Sequence, residues 1–439
     1  MQADKTTLTD LSMFTINEEQ SIFHYVDFTR TVGGKEWLRH FLSHPFDNVK
    51  DIVHTQQAIK KIQQVLPQWN NTLISNGTIM VIEKFHETAV AEIPHNAGAV
   101  GTLSYAIFNK EDFSFVRYSV KHFIDFFIGL QQLTELLSAE ENPLLLQTII
   151  DQIKVRLNKA GLQQLLPKEK TTELPKANLL TLGYFLKRRY KQEAVELVEI
   201  YSKLDAYYSM AMACIKHQLC FPAFVEAEVP VLTATQLYHP LLHTPVAYDV
   251  DLHQQQNFLF LTGANMGGKS TFIKAVGVAA YLAHTGMGIP AQQMQLTLFD
   301  GLLSNINVVD NIMQGESYFF NEVQRIRKTI DKIGDGKKWL ILIDELFKGT
   351  NVQDAMKCSS TVIEGLLKIK NSLFILSTHL YEIGEDLKKY PNIQFKYFET
   401  AVVDGQLYFS YQLKDGISND RLGYLILKRE GVVEMLEKL

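Results

Sequence analysis

Residues 262–271 read TGANMGGKST, and this stretch decides how the C-terminal half of the chain is interpreted. Its spacing, Gly263-x4-Gly268-Lys269-Ser270, is that of a phosphate-binding loop, in which small residues let backbone N–H groups surround phosphates at a helix N-terminus. Residues 257–261 are strand-like and residues 270–283 are helix-like, as such a loop requires. In this loop Lys269 would reach the β- and γ-phosphates, and the Ser270 hydroxyl would hold Mg²⁺. A glycine-rich turn with a chance lysine is the alternative, and it does not account for the strand–loop–helix context.

Two further apolar runs end in polar residues that such a loop needs. Residues 339–345, WLILIDE, read as a strand that ends in two carboxylates, of which Asp344 would hold Mg²⁺ through its water shell and Glu345 would polarise the attacking water. Residues 372–379, SLFILSTH, read as a third strand, and His379 at its end would either sense the γ-phosphate or be structural. Such endings also occur where a strand simply meets solvent, but open α/β sheets bind ligands at this strand end.

Ser317 is a further candidate, because the apolar residues after it fall on one face of a predicted helix. That pattern places Ser317 in the first helical turn, where N–H groups favour an anion. A serine that only caps the helix fits the pattern equally well.

Composition indicates a globular protein with two or three domains, since 439 residues can build more than one core. The net charge of −5 gives no overall basic footprint for nucleic acid. A local exception is residues 151–191, with ten Lys or Arg against three Asp or Glu. That segment includes Lys187, Arg188, Arg189 and Lys191, which predict either a contact with nucleic-acid phosphates or a solvated surface.

Cysteine use and the chain termini bear on the compartment. The three cysteines, Cys214, Cys220 and Cys358, have no metal-ligand spacing and predict thiols in a reducing compartment. The first residues, MQADKTTLTD, do not resemble a signal peptide, and no apolar run approaches the roughly 18–20 residues of a membrane span. We therefore expect a soluble, cytoplasmic protein with no membrane partner.

The predicted secondary structure changes near residues 225–235. Before this point the periodicity predicts helices, including residues 35–43 and 48–65, with Pro45 between them. Residues 184–221 contain no Gly or Pro and predict one long helix. After this point short apolar runs predict buried parallel strands, and residues 395–413 predict a hairpin that turns at Asp404-Gly405.

These motifs together resemble the MutS family, the mismatch-repair ATPases of the ABC superfamily. TGANMGGKST is similar to the family's TGPNMGGKST, with Ala264 in place of proline, and residues 300–322 follow the family pattern that contains Ser317 and Glu322. LIDELFKGTNVQDA resembles LLDELGRGTSxxDG, and STHLYEI resembles ATHYHEL. The resemblance implies an α/β ABC-type P-loop ATPase domain at 231–439 and an all-α core/lever domain at 1–230.

The resemblance also implies roles for individual residues and a dimer. Two ATPase domains of MutS-like proteins face each other, so Ser317 would reach the nucleotide of the partner subunit, and His379 would lie near the γ-phosphate. The implied ligands are ATP and Mg²⁺, with Glu345 and His379 catalytic and with Ser270 and Asp344 at the metal. The implied nucleotide-binding residues are Gly263, Ala264, Asn265, Met266, Gly267, Gly268, Lys269, Ser270, Thr271 and Ser317.

The target is less defined, because the sequence departs from the family pattern. We expect the mismatch-reading and connector domains to be absent, and the family's GRGT reads Phe347-Lys348-Gly349-Thr350 here. The expected function is a nucleotide-gated, dimeric ATPase that acts on DNA in a mismatch-repair-like or recombination-related process. The alternatives are a MutS-like ATPase that acts on the ribosome and an ATP-regulated protein scaffold.

Overall fold

The chain folds into two compact units. The computed structural model describes residues 1–69, 74–95, 98–138, 142–166, 174–264, 266–307, 318–403, 406–418 and 432–437. One unit, here the sheet unit, comprises Met1–Tyr25, His44–Ile52 and Lys216–Leu439; the other, the helical unit, comprises Val26–Ser43 and Val53–Ile215. The units do not follow a single cut at residue 230, because the first 25 residues belong with the C-terminal sequence.

The N-terminal half is built almost entirely from helices. Its described helices are α1 (Lys5–Asp10), α2 (Ile22–Val26), α3 (Val32–Ser43), α4 (Val49–Trp69), α5 (Asn76–Glu87), α6 (Ala99–Phe108), α7 (Lys110–Leu137), α8 (Leu144–Leu157), α9 (Ala160–Gln163), α10 (Lys176–Arg188) and α11 (Lys191–Lys216). The helices predicted at 35–43 and 48–65 are confirmed as α3 and α4. Helix α7 shows why these segments are helical: Phe113, Val116, Val120 and Phe123 recur every three or four residues and are all buried.

The single helix predicted over residues 184–221 is wrong. The chain turns between α10 and α11, where the N–H groups of Arg189 and Tyr190 both donate to Phe185 O at 2.8 and 3.0 Å. The buried Tyr190 fixes this turn, because its hydroxyl donates to Arg156 O at 2.7 Å. A tertiary contact therefore ends the helix without the Gly or Pro that would mark a break in the sequence.

A buried carboxylate anchors the start of α3 within the helical unit. Asp205 of α11 accepts hydrogen bonds from the N–H groups of Arg30 and Thr31 and from Thr31 Oγ1, at 2.7 to 3.1 Å. Gly34 permits this approach, because a Cβ at that position would lie 2.0 Å from Asp205 Oδ2. Close packing against Asp205 therefore explains the glycine at this position of α3.

The sheet unit is organised around a seven-stranded sheet. The strands of the unit are β1 (Gln2–Ala3), β2 (Ala223–Phe224), β3 (Leu232–Leu237), β4 (Tyr248–Leu252), β5 (Phe258–Thr262), β6 (Gln293–Leu296), β7 (Gly301–Asn305), β8 (Trp339–Asp344), β9 (Ser372–Ser377), β10 (Ile393–Val403) and β11 (Gln406–Asp415). The large sheet has the order β1-β7-β8-β9-β5-β10-β11, and β2-β6-β3-β4 form a second sheet. The described helices after β5 are α12 (Lys269–His284), α13 (Tyr318–Ile333), α14 (Val352–Leu366), α15 (Glu382–Leu387) and α16 (Val432–Glu437).

The three predicted strands are confirmed as β5, β8 and β9, every residue of which is buried. They pair in parallel, β8 with β9 and β9 with β5, so their carboxyl ends meet at one edge of the sheet. The predicted hairpin is confirmed by the antiparallel pairing of β10 with β11, although its turn at 404–405 lies outside the described residues. The seven-stranded sheet is therefore mixed, with one antiparallel edge.

Two short strands depart from the all-α expectation for residues 1–230. Strand β1 pairs in parallel with β7 at the edge of the large sheet, and β2 pairs with β6 in the small sheet. In α1, which follows β1, the buried Asp10 accepts a hydrogen bond from Ser304 Oγ at 2.6 Å. It also accepts hydrogen bonds from the N–H groups of Ile306 and Asn307. The first residues thus complete the sheet that carries the predicted site.

Candidate nucleotide site

The loop between β5 and α12 has the backbone geometry that the glycines predict. Gly263 and Gly268 have φ values of 130° and 110°, in the left-handed region that favours glycine. A Cβ on Gly263 would lie 3.1 Å from the carbonyl oxygen of Phe398, so the strand β10 packs directly against the loop. Met266 also has a positive φ, of 68°, and its side chain is exposed. Asn265 of the predicted set lies outside the described residues.

Lys269 begins α12 and is buried at the centre of this loop. Its Nζ donates to Gly263 O at 2.7 Å and to Ala264 O at 3.0 Å. Burial lowers the pKa of the Lys269 ammonium to about 8, although Glu345 and Asp344 act in the opposite direction. The ammonium is thus held inside the loop, where an anionic ligand would compete with two neutral carbonyls for it.

Ser270 and Asp344 meet as predicted for a metal site. Ser270 Oγ donates to Asp344 Oδ2 at 2.5 Å, and the hydroxyl of Ser377 donates to Asp344 Oδ1. Hydroxyl and carboxylate oxygens are ligands that Mg²⁺ prefers, and it usually takes one or two protein ligands together with phosphate oxygens and water. The donor set therefore fits Mg²⁺. Nowhere in the described part of the chain do three or more His, Cys, Asp or Glu residues form an all-protein metal cluster.

Glu345 lies between the side chains of His379 and Lys348 at the end of β8. Its Oε1 pairs with His379 Nε2, and its Oε2 lies 3.0 Å from Lys348 Nζ. Burial raises the pKa of the Glu345 carboxyl, but the hydrogen bonds and charges of His379 and Lys348 outweigh burial and lower the pKa to about 2. Glu345 is therefore ionised at neutral pH, and the structure brings together the two residues predicted as catalytic.

A cavity of about 430 Å³ joins these groups. Lys269, Ser270, Thr271 and Glu345 line it together with Ala264, Met266, Gly268, Leu242, Thr244, Val246, Tyr248 and Tyr411. The lining thus combines residues predicted from the sequence with apolar and aromatic side chains. The tyrosines lie close to the loop, because a Cβ on Gly268 would lie 3.5 Å from the ring of Tyr411 and 3.6 Å from the Tyr248 hydroxyl.

The two tyrosines that line the cavity were not predicted. Tyr248 comes from β4 and Tyr411 from β11, and the ring of Tyr248 packs edge-on against Phe272 and Phe398. Burial raises the pKa of Tyr248 to about 12. The one sequence signal was the density of aromatic residues in the hairpin, which does not indicate the face on which they lie.

None of the four cations predicted to meet nucleic acid lines this cavity. Ser317 lies outside the described residues. Arg188, Arg189 and Lys191 are exposed in the helical unit. Lys187 differs from them, because its Nζ donates to Phe85 O and, at 2.8 Å, to Thr88 O at the end of α5. Burial lowers the pKa of this ammonium, and Lys191 and Arg188 add to the effect. Lys187 thus serves a helix terminus inside its own unit.

Two other expectations can be compared with the structure. The three cysteines form no disulfide. Within the ranges that the structure describes, no helix has the length and apolarity needed to span a membrane.

Comparison with known proteins supports the same assignment of the C-terminal segment. Residues 259–436 match the family model for MutS domain V. The DNA mismatch repair protein MutS of Thermotoga maritima is 28% identical over 269 residues, which are 60% of this chain and 33% of that protein. The DNA mismatch repair protein MutS of Pseudothermotoga lettingae is 30% identical over 233 residues, 52% of this chain and 28% of that protein. The human MutS protein homolog 4 is 29% identical over 237 residues, 52% of this chain and 25% of that protein. The chain therefore spans about a third or less of the length of these relatives.

Proposed function

We propose that this chain, which belongs to the MutS family, binds and hydrolyses ATP in the cavity beside Lys269 and acts on DNA as a nucleotide-gated dimer. One observation carries the ATPase proposal. Residues from the ends of β5, β8 and β9 converge on one cavity, where Lys269, Ser270 and Glu345 face the same space and Asp344 and His379 contact two of them.

Binding would begin at the loop. The N–H groups at the start of α12 favour the phosphates, and the Lys269 ammonium would leave the carbonyls of Gly263 and Ala264 for the β- and γ-phosphate oxygens. A hydrogen bond from the ammonium to an anionic phosphate oxygen joins two opposite charges and is stronger than one to a neutral carbonyl, so this exchange is favourable. Tyr248 and Tyr411, which also line the cavity, would contact the base.

Ser270 and Asp344 would hold Mg²⁺, which supplies positive charge to the phosphate oxygens. Ser377 fixes the Asp344 carboxylate from the opposite side. The aspartate thus has a fixed orientation before any ligand arrives, which lowers the cost of organising the site.

Glu345 would orient the attacking water and accept its proton. A low pKa makes this carboxylate a weak base, so its main contribution is to position the water. His379 would lie beside the transferred phosphoryl group. Because it pairs with the Glu345 carboxylate, it would also restrict the orientation of that side chain.

The dimer and the DNA target are supported by the family rather than by contacts within one chain. The MutS resemblance assigns Ser317 to the nucleotide of a partner subunit, so ATP would close two ATPase domains and hydrolysis would release them. Two of the relatives above are named DNA mismatch repair proteins, which favours DNA over the ribosome or a protein scaffold. Arg188, Arg189 and Lys191 are the exposed cations proposed to meet DNA.

A trapped state tests the target. The variant Glu345→Gln, tagged and recovered from a lysate of its own cells with ATP and Mg²⁺, should retain DNA that is lost on treatment with DNase. The variant Lys269→Ala, which lacks the phosphate contact, should recover none. Recovery of ribosomal subunits that resist DNase would contradict DNA as the target and assign the protein to the ribosome.

A further inference from the structure

The backbone that carries Glu345 is strained. Glu345 and Phe347 have φ values of 64° and 59°, a left-handed conformation that residues with a Cβ rarely adopt. Such conformations persist only where surrounding contacts hold them in place. Glu345 itself is held by its N–H group, which donates to Ser377 O of β9 at 3.0 Å. The residues that follow Glu345 are held by contacts from α13.

A buried carboxylate from another helix provides the polar part of this support. Glu322, in the second turn of α13, accepts the N–H of Lys348 at 3.0 Å on Oε1 and the N–H of Gly349 at 3.2 Å on Oε2. The side chain is only 4% exposed, so both bonds form away from water, where such bonds are strong. Glu322 therefore fixes the backbone of Lys348, whose ammonium in turn lies 3.0 Å from Glu345 Oε2.

An aromatic contact from the same helix provides the apolar part. The ring of Phe347 is buried, and its centroid lies 5.7 Å from that of Phe319 in the first turn of α13. In the MutS pattern a glycine stands at the position of Phe347, and glycine adopts this conformation without strain. In this chain the cost of the phenylalanine is offset by a contact that ties the loop to α13.

We propose that Glu322 is a positioning residue for hydrolysis, which holds Glu345 in place through the backbone of Lys348 and Gly349. Phe319 assists Glu322 through its contact with Phe347. The first two turns of α13 and residues 345–349 therefore move together. This inference rests on the ATPase activity proposed above.

The variant Glu322→Gln tests the proposal, because it keeps the size of the side chain and replaces one acceptor oxygen by an NH₂ group that cannot accept the Gly349 N–H. We expect kcat for ATP hydrolysis to fall about 10-fold or more, as small misplacements of a catalytic group do. The KM for ATP and the affinity for a fluorescent ATP analogue should stay within about twofold, because Glu322 accepts hydrogen bonds from the backbone of Lys348 and Gly349, which are outside the loop at Lys269. Asp331→Asn, an exposed carboxylate on the same helix, is the matched control and should leave kcat unchanged.

The outcomes are distinct. An unchanged kcat in a folded Glu322→Gln protein overturns the proposal, and so does a parallel loss of kcat, nucleotide affinity and melting temperature, which would indicate general damage. If Glu322→Gln does not fold, Phe319→Leu decides, with a smaller loss of kcat at constant KM expected and no loss overturning the coupling. Glu345→Gln is measured alongside: if it turns over ATP like the unaltered protein, the proposed ATPase site fails, whereas an inactive Glu345→Gln with an active Glu322→Gln removes only the positioning role.

Discussion

Ser270 Oγ lies 2.5 Å from Asp344 Oδ2, although 74 residues separate the two side chains in the sequence. The contact joins the first turn of α12 to the end of β8, and Ser377 holds the other oxygen of the same carboxylate. We therefore expect Asp344→Asn to leave the fold intact and to raise the Mg²⁺ concentration for half-maximal ATPase activity by about 10-fold or more, since one anionic ligand is lost. A titration of activity with Mg²⁺ measures this shift. Ser377→Ala, which leaves both proposed ligands in place, should shift the midpoint much less, and equal shifts would contradict the ligand assignment.

Lys269 and Glu345 should separate binding from turnover. Lys269→Ala removes the ammonium proposed for the phosphates, and we expect ATP to bind about 10- to 100-fold more weakly, the equivalent of losing one or two charge-assisted bonds. Glu345→Gln should bind ATP with nearly unchanged affinity and lose about 10²- to 10⁴-fold in turnover, the usual contribution of a positioned base. Equilibrium binding of a fluorescent ATP analogue and a phosphate-release assay measure the two quantities. Normal turnover by Glu345→Gln would refute the site.

The exposed arginines at the end of α10 should account for part of any DNA affinity. Neutralising Arg188 and Arg189 together should weaken binding and reduce the slope of log K against log salt by about 2, since each phosphate contact contributes about 0.9. Lys187→Met is the informative comparison, because the Lys187 ammonium already donates to Phe85 O and Thr88 O. Fluorescence anisotropy with duplex DNA at several salt concentrations gives the slopes. A loss of slope in Lys187→Met as large as in the double variant would mean that this lysine leaves its helix terminus on binding.

His284 should make the sheet unit sensitive to acid. Its Nδ1 lies 2.7 Å from Ala280 O and its Nε2 accepts the N–H of Phe299 at 3.0 Å, so the ring is neutral and both nitrogens are used. Burial lowers its pKa to about 4, whereas the unfolded value is about 6.5. The unfolded state therefore takes up the proton first, and the free energy of unfolding falls as the pH drops from about 6.5 to about 4, by up to about 3 kcal/mol for this group.

Urea denaturation at several pH values between 7.5 and 5 tests this expectation. His284→Gln cannot titrate and should show a shallower pH dependence, even though it is less stable at neutral pH. Part of the dependence should remain, because burial also lowers the pKa of His86 and His239 to about 4. An identical slope in the variant and the unaltered protein would exclude His284 as the source.

Gly34 should be intolerant of a single added methyl group. A Cβ there would meet Asp205 Oδ2 at 2.0 Å and displace the carboxylate that caps the start of α3, so we expect Gly34→Ala to destabilise the helical unit by about 1–3 kcal/mol. Gly365→Ala is the control, since that helical glycine is exposed and has no atom within 4 Å of the added Cβ, and it should be neutral or slightly stabilising. Thermal unfolding followed by circular dichroism compares the two, and similar melting temperatures would contradict the packing argument.

The polar half of the site was predictable because its signals are local. Strands β5, β8 and β9 are buried on both faces and appear in the sequence as continuous apolar runs. The first run ends at the glycine-rich loop, the second ends at Asp344 and the third ends two residues before His379, so parallel pairing brings these groups to one edge of the sheet. The Gly263-x4-Gly268 spacing then identifies the end of β5 as the one that would hold the phosphates.

The other features depend on contacts between distant residues. Tyr248 and Tyr411 reach the cavity because the second sheet and the hairpin pack beside the loop, and a bulge shifts the register of β10 and β11 near Phe398. Lys187 lies in a basic segment that predicts a nucleic-acid contact. In the structure its ammonium instead donates to Thr88 O, 99 residues away in the sequence. The break between α10 and α11 likewise depends on Tyr190 reaching Arg156. Local patterns carry no information on such pairs.

The pairing of β1 with β7 has a consequence for the order in which the protein can be completed. Ser304 and Asp10 form a buried hydrogen bond across 294 residues, so this edge of the seven-stranded sheet cannot close until the ribosome has synthesised the chain as far as Ser304. At about 5–20 residues per second the first helix waits roughly 15–60 s for its partner strand. Throughout that interval its buried face is available to chaperones or to a neighbouring nascent chain. Productive closure of the sheet edge is therefore a late event in biosynthesis, and conditions that slow translation of the middle of the chain should lower the yield of folded protein.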